Sequence, residues 1–172
     1  MMDEKVLQRA YDLGFEFEKQ YHGCAQCVIG GVYQLFPEIK SEDIFRSANA
    51  LAGGTGLTAE GQCGAVSGAC MILSQLYGRS FGAIEDPEKK RFVAYRLGAE
   101  FIKRFKSKFG SVTCGDVQTK LMGRSFDLLK PEDWEAFEKA GGHERECPSV
   151  VGAATRMVVE LMLEERAKRD QE

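Results

Sequence analysis

The apolar positions of this chain recur at intervals of three and four almost from end to end, the period of helices buried on one face. Val6, Ala10, Leu13 and Phe17 form a stripe that predicts a first helix over about residues 3–20. A second helix is predicted from Cys24 through Val28, Val32 and Leu35 to a stop at Pro37, with Gly30 and Gly31 marking a close approach or a bend. Ser41 is a suitable N-cap, with Glu42 and Asp43 in the first turn, and Ile44, Phe45, Ala48 and Leu51 carry a third helix to Gly53. A glycine-rich loop from Gly53 to Gly61 follows, and then a helix over about Cys63 to Tyr77 that ends at Gly78.

Asp86-Pro87 opens a long helix, with Pro87 at its first position. Val93, Leu97, Phe101, Phe105 and Phe109 recur every fourth residue, Phe92, Ala99 and Ile102 widen the stripe, and this helix is expected to form the spine of the core. Cys114 to Met122 reads as a short helix or an extended piece, because Gly115 and Val117 weaken the helix. Pro131-Glu132-Asp133 starts a short helix closed by Gly141-Gly142. Cys147-Pro148 opens the last helix, with Val150, Ala154, Met157, Val158 and Leu161 facing inward and a charged tail, Glu164 to Glu172, in solvent. The chain has no Asn-Gly hairpin signal, no alternating β-branched run and no repeat period. The pattern predicts an all-α fold, a compact multi-helix bundle forming one domain over residues 1–172.

Composition narrows the function. With 172 residues, 44% hydrophobic and 28% charged, the chain can bury a core without disulfides. A net charge of −3 and a pI near 5.6 argue against a nucleic-acid partner. The densest basic run, Lys103-Arg104-Phe105-Lys106-Ser107-Lys108, reads as the solvated last turns of a helix, with a docking patch for an acidic redox partner as the alternative. Met1-Met2-Asp3-Glu4-Lys5 lacks an apolar signal core and no run approaches a membrane span, so no membrane partner and a cytoplasmic location are expected. Six cysteines in that reducing setting point to metal or redox chemistry.

Four of the six stand at expected helix starts, each beside glycine or proline: Cys24 after Gly23, Cys63 before Gly64, Cys114 before Gly115 and Cys147 before Pro148. A helix N-terminus carries unpaired N–H groups and partial positive charge, which favour thiolate, the form that ligates metal or attacks a disulfide. Such placement suggests one site assembled from distant positions. Gly64 and Gly68 share a helix face, which suits either plain packing or the approach of a cluster, and Gly53, Gly54, Gly56 and Gly61 could aim N–H groups at sulfur. Gly56 and Gly61 have phosphate-loop spacing, but Gln62-Cys63 follows instead of Lys-Ser/Thr, and that motif fails. Cys24-Ala25-Gln26-Cys27 is a C-x-x-C without the second close pair of a zinc ribbon or the βαβ setting of a thioredoxin. Cys27 shares a helix face with Cys24, Cys70 reads as a small buried hydrophobe, and His22 and His143 read as exposed or as neighbours of the site. No serine–histidine–acid arrangement can be argued.

Cys24, then Cys63-Gly64-Ala65-Val66-Ser67-Gly68, then Cys114 and Cys147 resembles the redox-active family named for its C, C-G-A-x-x-G, C, C arrangement (C_GCAxxG_C_C), over about residues 20–160. The resemblance implies redox activity. Similar domains occur attached to haem electron-transfer proteins, where four cysteines are proposed to hold an iron–sulfur cluster. Carried over by position, the cofactor and metal ligands would be Cys24, Cys63, Cys114 and Cys147, with [2Fe–2S] favoured over [4Fe–4S]. The leading expectation is a small electron carrier, more than a substrate-converting enzyme, serving a partner oxidoreductase or electron-transfer protein, its oligomeric state left open. The alternative is a cofactor-free thiol–disulfide oxidoreductase using Cys24, Cys27 or Cys63. It departs from the all-α peroxide-linked reductases, which place a Glu before and a His after the C-x-x-C on one helix. Glu18 stands at a different spacing and no His follows Cys27. A structural zinc or metal-sensing module is the third reading.

Overall fold

The computed structural model describes residues 4–171. Among them the chain forms eight α-helices: α1 Glu4–Tyr21, α2 Cys24–Leu35, α3 Glu42–Ser47, α4 Gly64–Tyr77, α5 Lys90–Phe109, α6 Cys114–Met122, α7 Pro131–Lys139 and α8 Cys147–Arg169. No strand forms among the described residues, and the single isolated β-bridge joins Gln62 to Thr113. The all-α bundle expected from periodicity is the observed fold. Asp3, Met1, Met2 and Glu172, on which parts of the sequence reading fall, lie outside the described residues.

One cluster of buried side chains joins α1, α2, α4, α5 and α8. Small residues set how closely these helices approach. A Cβ on Gly14 of α1 would overlap Thr155 of α8, and one on Gly31 of α2 would lie 3.1 Å from Thr155 and 3.2 Å from the backbone of Gly14. Gly30 gives its space to the Phe17 ring. The two glycines that weaken α2 as an isolated helix are thus where it meets its neighbours. A second, smaller cluster of Phe126, Leu128 and Phe137 packs with Leu57, Met122 and Cys147.

The spine of the core is α8, not the expected α5. Residues of α8 are buried around much of its circumference, including Val150, Val151, Ala153, Ala154, Val158 and Val159. By contrast α5 buries one line only, Leu97, Phe101, Phe105 and Phe109, and leaves Phe92 and Ala99 exposed. A stripe at strict four-residue spacing is the mark of a helix on the side of a bundle.

Three boundaries also differ. The third helix stops at Ser47 and passes into a 3-10 turn, Asn49–Leu51. The Ser47 hydroxyl donates to the Ile44 carbonyl at 2.9 Å, a local bond that competes with helix continuation. The long helix begins at Lys90 rather than Pro87, because Asp86 and Lys89 are both left-handed and the Asp86 carboxylate accepts the N–H groups of Lys90 (2.7 Å) and Arg91 (3.2 Å) as the cap. The charged tail does not fray at Glu164. Arg104 ties Glu160 and Glu164 to α5, and Arg96 pairs with the buried Glu165 at 2.8 Å.

Candidate functional site

Four helices start around one cavity. Cys24 is the first residue of α2, Cys63 the N-cap of α4, Cys114 the first residue of α6 and Cys147 the first residue of α8, and all four line a cavity of about 300 Å³. All are free thiols. The convergence expected from four cysteine-marked helix starts is present.

Local sequence explains how each arrives there. The segments before Cys63 and Cys114 run antiparallel. Cys63 N–H donates to the Val112 carbonyl (2.7 Å), Cys114 N–H to Gly61 (2.9 Å) and Gly115 N–H to Ala59 (2.9 Å). This short ladder holds Cys63 and Cys114 side by side. Gly64 and Gly68 let the first turn of α2 dock on α4: a Cβ on Gly64 would lie 3.1 Å from the Ala25 nitrogen, and one on Gly68 would overlap the Ala25 carbonyl oxygen. The C-G-A-x-x-G motif therefore works by plain helix packing, and that packing is what places Cys24 beside Cys63. Cys147 follows a π-helical turn, Gly142–Glu146, which feeds directly into α8.

The glycine loop winds left-handed. Gly53, Gly54, Thr55, Gly56 and Leu57 have φ of 54°, 67°, 68°, 62° and 72°. Only glycine adopts this freely, so Thr55 and Leu57 each carry about 1–2 kcal/mol of strain. The reward is proximity to sulfur. The Gly53 N–H reaches the Cys24 thiol, and a Cβ on Gly54 would sit 2.6 Å from the Cys114 Cβ. Further donors reach sulfur from Ala65 and Val66 N–H to Cys63, and from the Gln118 side-chain amide to Cys114 at 3.6 Å. Of the loop glycines expected to aim N–H groups at sulfur, Gly53 does so; Gly61 instead donates within the loop, to Gly54.

The expected thiolates are not favoured. Burial pushes every one of the four thiols up from the usual 9.0, Cys63 to about 11, Cys114 to about 12, and Cys24 and Cys147 well above that usual value. The charge of Glu18 adds to the rise in each, and neighbouring cysteines add to it in Cys24, Cys114 and Cys147. A helix N-terminus contributes about 0.3–1 kcal/mol to an anion. Each unit of pKa rise costs the thiolate about 1.4 kcal/mol, so desolvation wins. No Lys or Arg side chain is among the residues lining the cavity. The site is a set of buried acids without its own countercharge, which suits a positively charged or metal-containing group that would deprotonate the thiols on binding.

Glu18 was missed as part of this site. It is 1% exposed, lines the cavity and has an Oε2 with no hydrogen-bond partner. Burial raises its carboxyl to about 7, against the hydrogen bonds of the Cys27 and Cys24 thiols. Its position was readable: it continues the inward line of Leu7, Ala10, Leu13 and Gly14 on α1. Gln118, 2% exposed and one turn after Cys114, was missed for the same reason, a polar residue on a helix's buried face.

The other candidates separate. Cys27 does not line the cavity; its thiol donates to the His22 carbonyl at 3.0 Å and meets Glu18 from the core side. Cys70, expected as a small buried hydrophobe rather than a ligand, is half-buried against Ile44, Met71, Ser74 and Gln75 and does not line the cavity of the four. His22 and His143 both line the cavity, with ring centroids 4.0 Å apart, and His143 packs on Trp134 and Phe137 and bonds to Glu138. Burial lowers the His143 pKa, partly offset by Glu138. Among the described residues no group of three or more His, Cys, Asp or Glu side chains is placed so that it could hold a metal ion. The sulfurs border a common space rather than a point. No helix among the described residues is long and apolar enough to cross a membrane.

The model of the family described as "Putative redox-active protein (C_GCAxxG_C_C)" matches residues 22–161. No curated protein and no solved structure matches the chain.

Proposed function

The chain belongs to this redox-active family, and from that premise we propose that it is an electron-transfer protein in which Cys24, Cys63, Cys114 and Cys147 hold an iron–sulfur cluster. One observation carries the reading: four free thiols, delivered by four helix starts, border one cavity that no Lys or Arg side chain lines. Soft sulfur donors select iron–sulfur clusters, zinc or copper(I). A cavity bordered by sulfurs suits a group of several atoms better than one ion held at a point. The cluster supplies one-electron exchange when bound, and [2Fe–2S] is the form the family resemblance favours.

The chain's own residues prepare the site. N–H donors at Gly53, Ala65, Val66 and Gln118 stabilise sulfur-borne negative charge. Leu57, Val117, Leu128 and Phe137 exclude water from the walls. Tyr21, His22, Asn49 and Trp134 are the exposed residues lining the cavity and form the side from which a partner oxidoreductase would approach.

Anaerobic purification followed by iron and acid-labile sulfide analysis tests the proposal. Coloured protein with matched iron and sulfide supports it. Colourless protein that takes up no iron on reconstitution contradicts it.

A second reading, thiol–disulfide exchange at Cys24-Cys27, gains from one finding: Glu18, on a different helix, does reach both thiols. It loses from the raised thiol pKa values, since the thiolate is the nucleophile. Only this reading predicts that one cysteine pair suffices for activity.

A further inference from the structure

Tyr21 and Trp134 are exposed at the cavity, but most of the exposed large apolar side chains stand elsewhere. Phe81, Ile84, Phe92 and Tyr95 are 93%, 53%, 52% and 61% exposed and flank the passage from α4 into α5. Phe81 opens a 3-10 turn, Phe81–Ala83, within a stretch from Arg79 to Lys90 in which only Asp86 is buried. Asp86 fastens that stretch to α5. Its N–H donates to the Ala83 carbonyl at 3.0 Å, and its carboxylate caps Lys90 and Arg91. The turn is thus held by its polar residue while its apolar ones face solvent. One exposed apolar residue needs no explanation; four in adjoining segments do.

The face continues along α5. Phe92, Tyr95, Arg96, Ala99, Lys103 and Lys106 are exposed at intervals of three and four, one outer stripe. The opposite line, Leu97, Phe101 and Phe105, is the buried one, and α5 packs on α4 and α8. Lys168 of α8 borders the same side beside Arg96 and Lys103. Charge is sorted to this part of the chain. Residues 79–108 hold nine Lys and Arg against four Asp and Glu, a formal +5, in a chain of net charge −3, so the remainder carries −8. Part of that acidic excess stands beside the cavity, where Glu135, Glu138 and Glu144 are exposed.

We infer that the outer face of α5 and the turn before it form a docking surface for an anionic lipid bilayer, on which the protein rests peripherally. Phe81, Ile84, Phe92 and Tyr95 enter the interfacial layer, and the lysines and arginines around them meet the lipid phosphates. A fluid interface receives projecting side chains without a shaped pocket, which suits a phenylalanine standing almost fully exposed on a turn. A second copy seated on the same face would oppose basic to basic. Peripheral binding needs no spanning segment, and no helix among the described residues can cross a membrane. The aromatic end of the face lies the 14-residue length of α4 from Cys63, about 20 Å at ~1.5 Å per residue. Docking there leaves the cavity open, and repulsion of the acidic end turns it toward water. The inference stands apart from what the cavity holds.

The test mixes the whole chain, as purified, with vesicles of phosphatidylcholine alone or of phosphatidylcholine with phosphatidylglycerol, at low and high salt, and measures the fraction that sediments with them. Binding is expected only with phosphatidylglycerol, and is expected to fall at high salt. The double variant Phe81→Ser, Phe92→Ser is expected to weaken it by about tenfold or more. The double variant Lys103→Gln, Lys106→Gln is expected to weaken it by about twentyfold at low salt. Glu135→Gln, at the acidic end, is expected not to weaken it. Circular dichroism checks that these exposed changes leave the fold intact. A wild type that stays in solution with both vesicle types, or binds both equally, overturns the proposal, as does undiminished binding by the two double variants. A wild type that ignores the vesicles but sediments as a dimer, which Phe81→Ser separates, overturns it in favour of a second copy.

Discussion

The two ends of α8 each bury a glutamate, and the two are handled oppositely. Near its C-terminal end Glu165 is 5% exposed, and Arg96, Arg169 and Lys168 surround it. Desolvation would raise its pKa, but the Arg96 hydrogen bond and the nearby positive charges outweigh that and lower it. Near the N-terminal end, α1 brings Glu18 to the cavity that Cys24, Cys63, Cys114 and Cys147 line, where no Lys or Arg side chain is found and its carboxyl rises to about 7. Both are nearly closed off from solvent, but Glu18 lies much deeper, and the outcome differs. Depth and the presence or absence of the fold's own countercharge decide it together. At one end the protein has completed an ion pair that fastens α5 to α8. At the other it leaves acids facing each other, an arrangement that makes sense when something else completes it.

The comparison can be broken or sharpened by mutation. The largest stability effect is expected from Gly68→Ala, whose Cβ would overlap the Ala25 carbonyl and push the start of α2 off α4. We expect a loss of about 3 kcal/mol in thermal or denaturant unfolding, with weakened iron retention because Cys24 moves from Cys63. Close behind is the pH dependence of the metal-free protein. The folded-state pKa of Glu18 is raised from 4.5 to about 7, so the native state binds the extra proton and stability falls as pH rises between those values. The full cost above that window is about 3 kcal/mol at ~1.4 kcal/mol per unit. Denaturant midpoints measured across this range should lose that slope in Glu18→Gln. Glu165 carries the opposite sign: its lowered pKa gives stability present above the ordinary glutamate range and lost as pH falls through its folded value.

Arg96→Met comes next. It leaves Glu165 buried without its main partner, but Arg96 is itself half-exposed, so we expect a loss of about 1–2 kcal/mol, read as a lower unfolding midpoint. The smallest effect belongs to Cys70→Ser. Cys70 packs at the α4 surface beside Ile44 and Gln75, so stability should change by less than about 1 kcal/mol and iron content not at all. A large loss of iron in this variant would mean the ligand set extends beyond the four.

Much of this organisation was legible in the sequence. The helical period identifies the bundle because each stripe is interrupted by glycine, proline or a capping residue, and four of those interruptions carry cysteine. The failures share a physical cause. Periodicity shows that α5 is amphipathic but not that α8, buried on more sides, lies at the centre. The favourable charge of a helix start is local and readable, whereas the desolvation that outweighs it at the cysteines depends on which helices close over them. Glu18 lies on a stripe that reads as apolar, and its meaning emerges only when α1 is seen to cross the four sulfurs. The left-handed course of Gly53 to Leu57 is hinted at by three glycines, but Thr55 and Leu57 give no local sign of it.

The most direct test of the central claim is anomalous scattering at the iron edge from crystals of anaerobically reconstituted protein. The account predicts iron density inside the cavity bordered by Cys24, Cys63, Cys114 and Cys147. Iron bound elsewhere, or a disulfide between two of these cysteines with no iron beside them, would contradict it.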